Sequence, residues 1–491
     1  MWSRPSRATS PRRRSSPSDP GPTRTHDEAR PGDHRAGLVG VCPAVGVLGE
    51  SVLVPGAVTR VVERVVPRRL GTSFRWLVGA GWATNLGDGI VIAAGPLLVA
   101  SETRDPFLVA MAWTLGFAPA MLFGLFAGVV ADRVDRRLLI TVANLCRVLL
   151  VGALSAAVLT GQVDIALVLV ALFLVGTAET FADTASATLL PMLVDRDDLG
   201  IANARLLAGV VTLNQLVGPP LGALLFGLGR ATPFLAQVAC VLAAVVMVRR
   251  LRLPRHGRAP AAGVRRSIRA DIREGLRWVL HHAAVRTLVL TIVTFNVTFG
   301  AAWSVLVLYS LERLDMGEIG FGLLTSALAA GGIVGTLSYG WLERHVSLGN
   351  IMRVGLVIET LTHLGLALTT VPAVALAIFF VFGAHAFVWG TTSTAVRQRA
   401  VPMAVQGRVQ SVYMIGVTGG IVVGSLLGGV IAARWGVTAP FWFAFGGSAV
   451  FLVLIWRQLV HITHADAHPD SNPDSHPDSS PDVAPQERPT T

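Results

Sequence analysis

The sequence contains no lysine; all 41 basic residues are arginine. That gap fits a GC-rich coding bias and excludes no mechanism. Charge of either sign is scarce: only 14% of the 491 residues are charged. A water-soluble protein of this size needs far more charge to cover its surface. Cysteine is nearly missing. Cys42, Cys146 and Cys240 form no CxxC and no metal-ligand spacing, so neither a disulfide framework nor a metal centre is expected. Cys146 and Cys240 lie inside apolar blocks and read as small buried hydrophobes. There is no Walker A motif, no HExxH and no GxSxG. ATP-driven pumping by this chain alone and the common hydrolytic chemistries are therefore not expected, and no cofactor is implied.

What is present is hydrocarbon. The apolar fraction is 52% and the mean hydropathy +0.59. The apolar residues come in blocks of about twenty, the length that crosses about 30 Å of bilayer at 1.5 Å per residue. Lipid forces each span to satisfy its own backbone hydrogen bonds, so the blocks are helices rather than strands. Twelve are expected, near 74–100, 108–131, 138–160, 163–190, 201–226, 232–250, 285–311, 319–342, 349–369, 372–396, 407–433 and 438–460. The expected fold is an all-α membrane protein with two pseudo-symmetric six-helix bundles.

The arginines give the orientation. Odd-numbered connections hold Arg104, Arg230, Arg313 and Arg434. Even-numbered ones hold Arg133, Arg136, Arg137, Arg196, Arg344, Arg397, Arg399 and Arg408, and the basic stretch from Arg249 to Arg286. The positive-inside rule puts the even side and both termini in the cytoplasm of a cell with the chain in its plasma membrane. A net charge of +11 otherwise suggests nucleic acid, but arginines placed between apolar blocks argue against it.

Five regions are expected. Residues 1–73 are an Arg/Pro-rich disordered extension, part of which is expected to lie upstream of the true translation start. Residues 74–250 and 285–460 are the two bundles. Residues 251–284 are a basic cytoplasmic linker. Its second part, SIRADIREGLRWVLHH, can form an amphipathic helix along the inner membrane surface. Residues 461–491 are a solvated Pro-rich tail. Paired motifs relate the halves. Asp132-Arg133 corresponds to Glu343-Arg344, Pro191-Met192 to Pro402-Met403, and Gly218-Pro-Pro-Leu-Gly222 to Gly424-Ser-Leu-Leu-Gly428. Such repeats are the usual plan of secondary transporters.

The stretch Gly128-Val-Val-Ala-Asp132-Arg133-Val-Asp-Arg136-Arg137 between blocks two and three resembles the GxxxDRxxRR signature of the major facilitator superfamily. The resemblance covers about residues 74 to 460, and the order of features is similar to the drug- and siderophore-efflux branch. It implies that this loop clamps the halves in the outward-facing state. A pure topology signal is the rival reading for Arg136 and Arg137. The second-half echo departs from the pattern: Tyr339 stands at the Gly position, and His345-Val-Ser-Leu replaces the paired arginines. In block five, Gly218, Pro219 and Gly222 resemble part of the antiporter signature of proton-coupled exporters, although Asn214 and Ala223 replace two of its glycines. A helix kink with no further role is the alternative.

An ionisable residue within a span costs roughly 2.5–3.5 kcal/mol on insertion scales, so each calls for a reason. Asp88, Arg147, Glu179 and Asp183 are the proton-coupling candidates; Glu359, His363 and His385 are weaker ones. A rearrangement that alters burial and Arg proximity can load a carboxylate on one side and unload it on the other. A permanent structural ion network is the alternative. Asn85, Trp113, Phe117, Asn296, Trp303, His385 and Trp389 are candidates for the cavity lining, which suits a lipophilic or amphipathic substrate. Each aromatic can equally face lipid.

The expected function is secondary active transport: proton-coupled efflux of a small hydrophobic compound by a monomer, with protons, the substrate and the bilayer as partners. Metabolite uptake and a non-transporting sensor or assembly protein are the alternatives; an enzyme is not expected.

Overall fold

The computed structural model describes residues 68–252, 268–402 and 405–456. Most of the N-terminal extension, the first part of the linker, Met403 and the Pro-rich tail lie outside these residues. Among the described residues every regular element is helical.

The first six spans are α1 (Gly71–Glu102), α2 (Pro106–Arg133), α3 (Arg136–Leu159), α4 (Ile165–Leu193), α5 (Arg196–Leu228) and α6 (Thr232–Arg249). The amphipathic helix α7 (Ile268–His281) follows. The second set is α8 (Ala283–Trp303), α9 (Gly317–His345), α10 (Leu348–Leu368), α11 (Pro372–Ala400), α12 (Gln406–Trp435) and α13 (Ala439–Ile455). Eleven of these twelve apolar helices are long enough to cross a bilayer by length and composition; α13 is shorter, at 17 residues.

Polar residues set the helix ends. Asp105 accepts a hydrogen bond from the Phe107 amide at 2.9 Å, and Pro106 fills the first turn of α2, where no N–H is needed. Asp135 does the same for α3 through the Leu138 amide at 2.9 Å. Asp135 therefore caps a helix inside the GxxxDRxxRR-like loop.

The packing is doubled. In the first half α1 packs on α5 and α6, α2 on α4, and α3 on α4 and α6. In the second half α8 packs on α12 and α13, α9 on α11, and α10 on α11 and α13. Each pair has its counterpart. The halves meet where α2 packs on α12 and α9 on α5, again a matched pair.

Small residues carry these contacts. A Cβ on Gly218 would stand 2.6 Å from the carbonyl carbon of Gly89, and one on Gly222 would stand 2.9 Å from that of Ile90. On α12, a Cβ on Gly424 or Gly428 would collide in the same way with Val297 or Ala301 of α8. The two matched glycine motifs thus do one job, letting two helix backbones touch.

Pro219 and Pro220 add a defect. Each removes a backbone donor, and the chain before them, Val210–Val217, is π-helical, with the Gly218 amide bonded to the Leu213 carbonyl. Pro220 also frees the Leu216 carbonyl, which accepts the Ser326 hydroxyl of α9 at 3.4 Å. The matching cross-half bond joins Thr114 of α2 to Ser425 of α12 at 2.8 Å.

α7 lies against the start of α12. A Cβ on its Gly275 would be 2.8 Å from the Arg408 carbonyl oxygen, and Glu274 pairs with the Arg408 side chain. Val279 is buried and Leu276 exposed.

A glycine gives up helix stability unless its missing side chain is needed. Gly222→Ala forces apart two backbones and should lower the melting temperature of the solubilised protein, at a cost of about 1–3 kcal/mol. Gly128→Ala, whose Cβ meets nothing within 4 Å, should leave it unchanged or raise it.

Candidate functional site

Arg147 is one of the most deeply buried large side chains, 1% exposed on the inner face of α3. Its Nη2 pairs with Asp88 Oδ1 of α1 and lies 3.9 Å from Glu179 Oε2 of α4. Its Nη1 donates to Asn144 Oδ1 at 3.3 Å. On the other side of Asp88, Gln237 of α6 donates its amide to Oδ1 at 3.3 Å. Gly87 makes that possible. A Cβ there would press on the Gln237 Cγ at 3.2 Å, so the absent side chain lets α6 come close. Four helices thus converge on one guanidinium and two carboxylates, a net charge of minus one when all three are ionised. Arg147 Nε and Gln237 Oε1 have no hydrogen-bond partner among the described residues.

Asp88 and Glu179 border a cavity of about 460 Å³. Trp113 and Phe117 of α2 line it, with ring centroids 5.3 Å apart, and Phe299 and Trp303 of α8 enter from the second half, 4.5 Å apart. Asn214 and Gln215 of the π-helical stretch, together with Gln237, complete the polar part of the wall, and Pro219 adds to the apolar part. The cavity therefore offers an apolar, aromatic body with an acidic group on one side. That arrangement suits a compound with a greasy skeleton and a cationic or donor end.

The other candidates fall elsewhere. Asp183 is exposed, one turn along α4 from Glu179. Asn85 donates back to the Gly81 carbonyl at 2.7 Å, and Asn296 to the Ile292 carbonyl at 2.7 Å. His385 and Trp389 sit inside the second half. There Trp389 stacks on Phe295 with centroids 6.0 Å apart, and His385 lies 3.5 Å from Glu359. In the GxxxDRxxRR-like loop, Arg136 lies 3.8 Å from Asp132, and Arg137 donates to the Arg249 carbonyl at the C-terminus of α6. A cation is favoured at that helix end. Asp132 and Arg133 are exposed, and Gly128 borders open space.

Asn144, Gln215 and Gln237 were not singled out from the sequence, and Asn214 stood out there only as a departure from the antiporter-like motif. The only signal was an amide inside an apolar block, which costs less than a charge and so stands out less.

Two sets of six helices with matched packing, around a central cavity that both sets line, define a secondary transporter. The chain belongs to the major facilitator superfamily, within the family described as transmembrane secretion effectors, which it matches over residues 66–488. It is similar to the multidrug efflux pump Tap of Mycolicibacterium fortuitum, 28% identical over 74% of this chain and 90% of that one. It is also similar to macrolide efflux protein A of Streptococcus pyogenes, 22% identical over 77% and 94%. The enterobactin exporter EntS of Citrobacter koseri is 26% identical over 78% and 91%. Among solved structures, a nucleoside transporter, NupG, superposes with a TM-score of 0.62 at 12% identity, covering 79% of this chain and 99% of that one. A POT family transporter superposes with a TM-score of 0.65 at 13% identity, covering 82% and 99%. These two likenesses concern the fold. The protein is thus a multi-pass membrane transporter of a small molecule, and its family consists of transporters rather than enzymes.

Removing one partner of a buried ion pair strands the other. Arg147→Met should cost about 3–5 kcal/mol of stability by that rule. The double variant Asp88→Asn/Arg147→Met should recover much of the loss. Thermal unfolding of the wild type, Asp88→Asn, Arg147→Met and the double variant in detergent measures both, and equal losses in Arg147→Met and the double variant would refute the pairing.

Proposed function

We propose that this protein exports a small hydrophobic or amphipathic compound in exchange for protons. One observation carries the reading: two carboxylates share a single guanidinium at the wall of an aromatic cavity. With Arg147 fixed, the group has room for one proton, or for one positive or hydrogen-bond-donating end of a cargo. A site that holds either, but not both, exchanges one for the other. Glu179 is the exchangeable member, because its side chain is only partly buried and its contact with Arg147 is the longer one. Asp88, held by Arg147 and Gln237, keeps the guanidinium in place.

The relatives named above are efflux proteins, which supports export over uptake. We take the protein as a plasma-membrane monomer, and the arginine asymmetry supports an orientation with both termini and the Asp132–Arg137 loop in the cytoplasm. In that orientation the halves touch mainly on the outer side. Arg104 lies 3.8 Å from Glu312, and a Cβ on Gly429 of α12 would meet Ala110 of α2 at 2.8 Å. The cavity then opens inward, the state that loads cargo from the cell. The opposite state would bring the Asp132–Arg137 loop against the second half, where it latches. The π-helical stretch beside Gly218-Pro219 carries Asn214 and Gln215 on the cavity wall, and its irregular backbone is the part of α5 able to reshape during the change.

Everted vesicles test direction and coupling together. Acidifying the interior should drive accumulation of a lipophilic cationic dye, and collapsing the gradient should release it. Glu179→Gln should abolish gradient-driven accumulation, and Asp88→Asn should reduce it at least tenfold. Full accumulation in both variants would end the proton-coupling proposal. Accumulation in right-side-out vesicles only would reverse the direction.

A further inference from the structure

The second half holds another ionisable group, away from the cavity. Glu359 and His363 lie one turn apart on α10, and His385 faces them from α11. All three are buried, Glu359 to 1% exposure and His363 completely. Glu359 Oε1 is 3.6 Å from His363 Nδ1, and Oε2 is 3.5 Å from His385 Nε2. Among the described residues neither carboxylate oxygen has a hydrogen-bond partner, and neither do His363 Nε2 and His385 Nε2.

Among the described residues no arginine pairs with any of the three. Arg313, beyond α8, donates to the Leu368 and Thr369 carbonyls at the C-terminal end of α10, and the Tyr309 hydroxyl donates to the Leu366 carbonyl. On α10 itself Arg353 is six residues from Glu359, about 9 Å along the axis, and stacks on Trp456. On α11 the arginines are Arg397, over the Tyr413 ring, and Arg399, paired with Glu343. The charged residues of α9 (Glu318, Glu343, Arg344) and of α8 (Arg286) sit near their helix ends, and α13 has none. Among the described residues no group of three such side chains is arranged to hold a metal ion. A bare carboxylate in hydrocarbon is untenable without a partner. Only a proton is left to balance it.

We propose that Glu359, His363 and His385 form a proton-binding site that holds one proton and communicates with the cargo cavity through Trp303. The tautomers follow from the contacts. His363 Nδ1 lies 3.0 Å from the Glu359 carbonyl oxygen, so it carries hydrogen and donates there. The shared proton then lies between Glu359 Oε2 and His385 Nε2, either on the acid beside a neutral ring or on the ring beside a carboxylate. Both forms are neutral overall. Loss of that proton leaves one net negative charge between α10 and α11. At 3.5 Å the two atoms are just beyond a hydrogen bond, so a small approach of the helices makes it. Gly355 leaves the ring its room: a Cβ there would be 2.9 Å from His385 Nδ1.

Trp303 is the link. Its ring stands edge-on to His363, centroids 6.1 Å apart, and also lines the cavity. His363 stays neutral in both forms, so the charge acts through Phe382, whose ring lies 5.9 Å from His385 and 4.8 Å from Trp303. A protonated His385 attracts that ring, a neutral one far less, and the state of the site thereby biases the Trp303 position. This last step rests on the cargo cavity proposed above; the proton site does not.

The experiment is a proton count on the purified full-length chain in lipid nanodiscs. Unbuffered samples are titrated from acid to alkaline pH. Glu359→Gln should release one proton fewer per molecule than the wild type. His385→Gln should release the same number as the wild type or one fewer, with its titration midpoint displaced. Should Glu359→Gln fail to yield monodisperse protein, His385→Gln decides alone. An unmoved wild-type curve in the folded variants would overturn the proton site. In a Glu179→Gln background, where the cavity's own proton exchange is removed, Trp303→Phe leaves the count intact but should remove the remaining pH dependence of dye binding, and unchanged pH dependence would overturn the link. Dye transport that survives Asp88→Asn and Glu179→Gln would sink only the earlier reading, since the proton count requires no transport.

Discussion

A buried arginine cannot give up its charge, and in a membrane it cannot dissolve it either. Arg147 is the point from which the first half is organised. It recruits Asp88 from α1, Asn144 from its own helix and Glu179 from α4, and Asp88 in turn holds Gln237 of α6. Four of the six helices are therefore positioned by one charge. The hydrophobic effect cannot do this within lipid, where a leucine is as well solvated as in a protein core. Polar contacts and small residues must supply the specificity. The glycines at 87, 89, 218 and 222 supply the closeness that those contacts require.

The two halves share a packing plan but not a chemistry. The same pairs of helices touch, and the glycine motifs of α5 and α12 play the same part. The charged groups also recur on the corresponding helices: Arg147 on α3 and Glu359 with His363 on α10, Glu179 on α4 and His385 on α11. In one half the fixed cation is an arginine at the edge of the cavity. In the other the bases are histidines, sealed away from it. The first arrangement holds its cation permanently; the second gains a net charge only when its proton leaves.

Much of this was legible in the sequence. Twelve apolar blocks, the arginine asymmetry and the Asp132-Arg133 loop pointed to the fold and the superfamily, because length, hydropathy and charge are one-dimensional quantities. Asp88, Arg147 and Glu179 stood out for the same reason, as charges inside hydrocarbon. Their meeting could not be read, since they sit on three helices whose rotation depends on packing. Facing was likewise invisible for Asn296, His385 and Trp389, which the structure places outside the cavity lining, and for Gln237, which it places on the wall. Asp135 looked like part of a charge motif, and its capping role shows only once the helix start is known.

The two cross-half hydrogen bonds, Thr114 to Ser425 and Ser326 to the Leu216 carbonyl, lie at equivalent places on either side of the pseudo-two-fold relation. Each involves a neutral hydroxyl, and such bonds contribute about 1 kcal/mol apiece. Each hydroxyl also has a second acceptor within its own helix: Ala110 for Thr114 and Gly322 for Ser326. When the halves separate at these points, neither hydroxyl is stranded in hydrocarbon, because it turns back to its own backbone. The contacts therefore behave like a clutch rather than a weld. They register the halves while engaged, and on release each hydroxyl turns back to its own helix, which leaves only the Leu216 carbonyl freed by Pro220 without its donor.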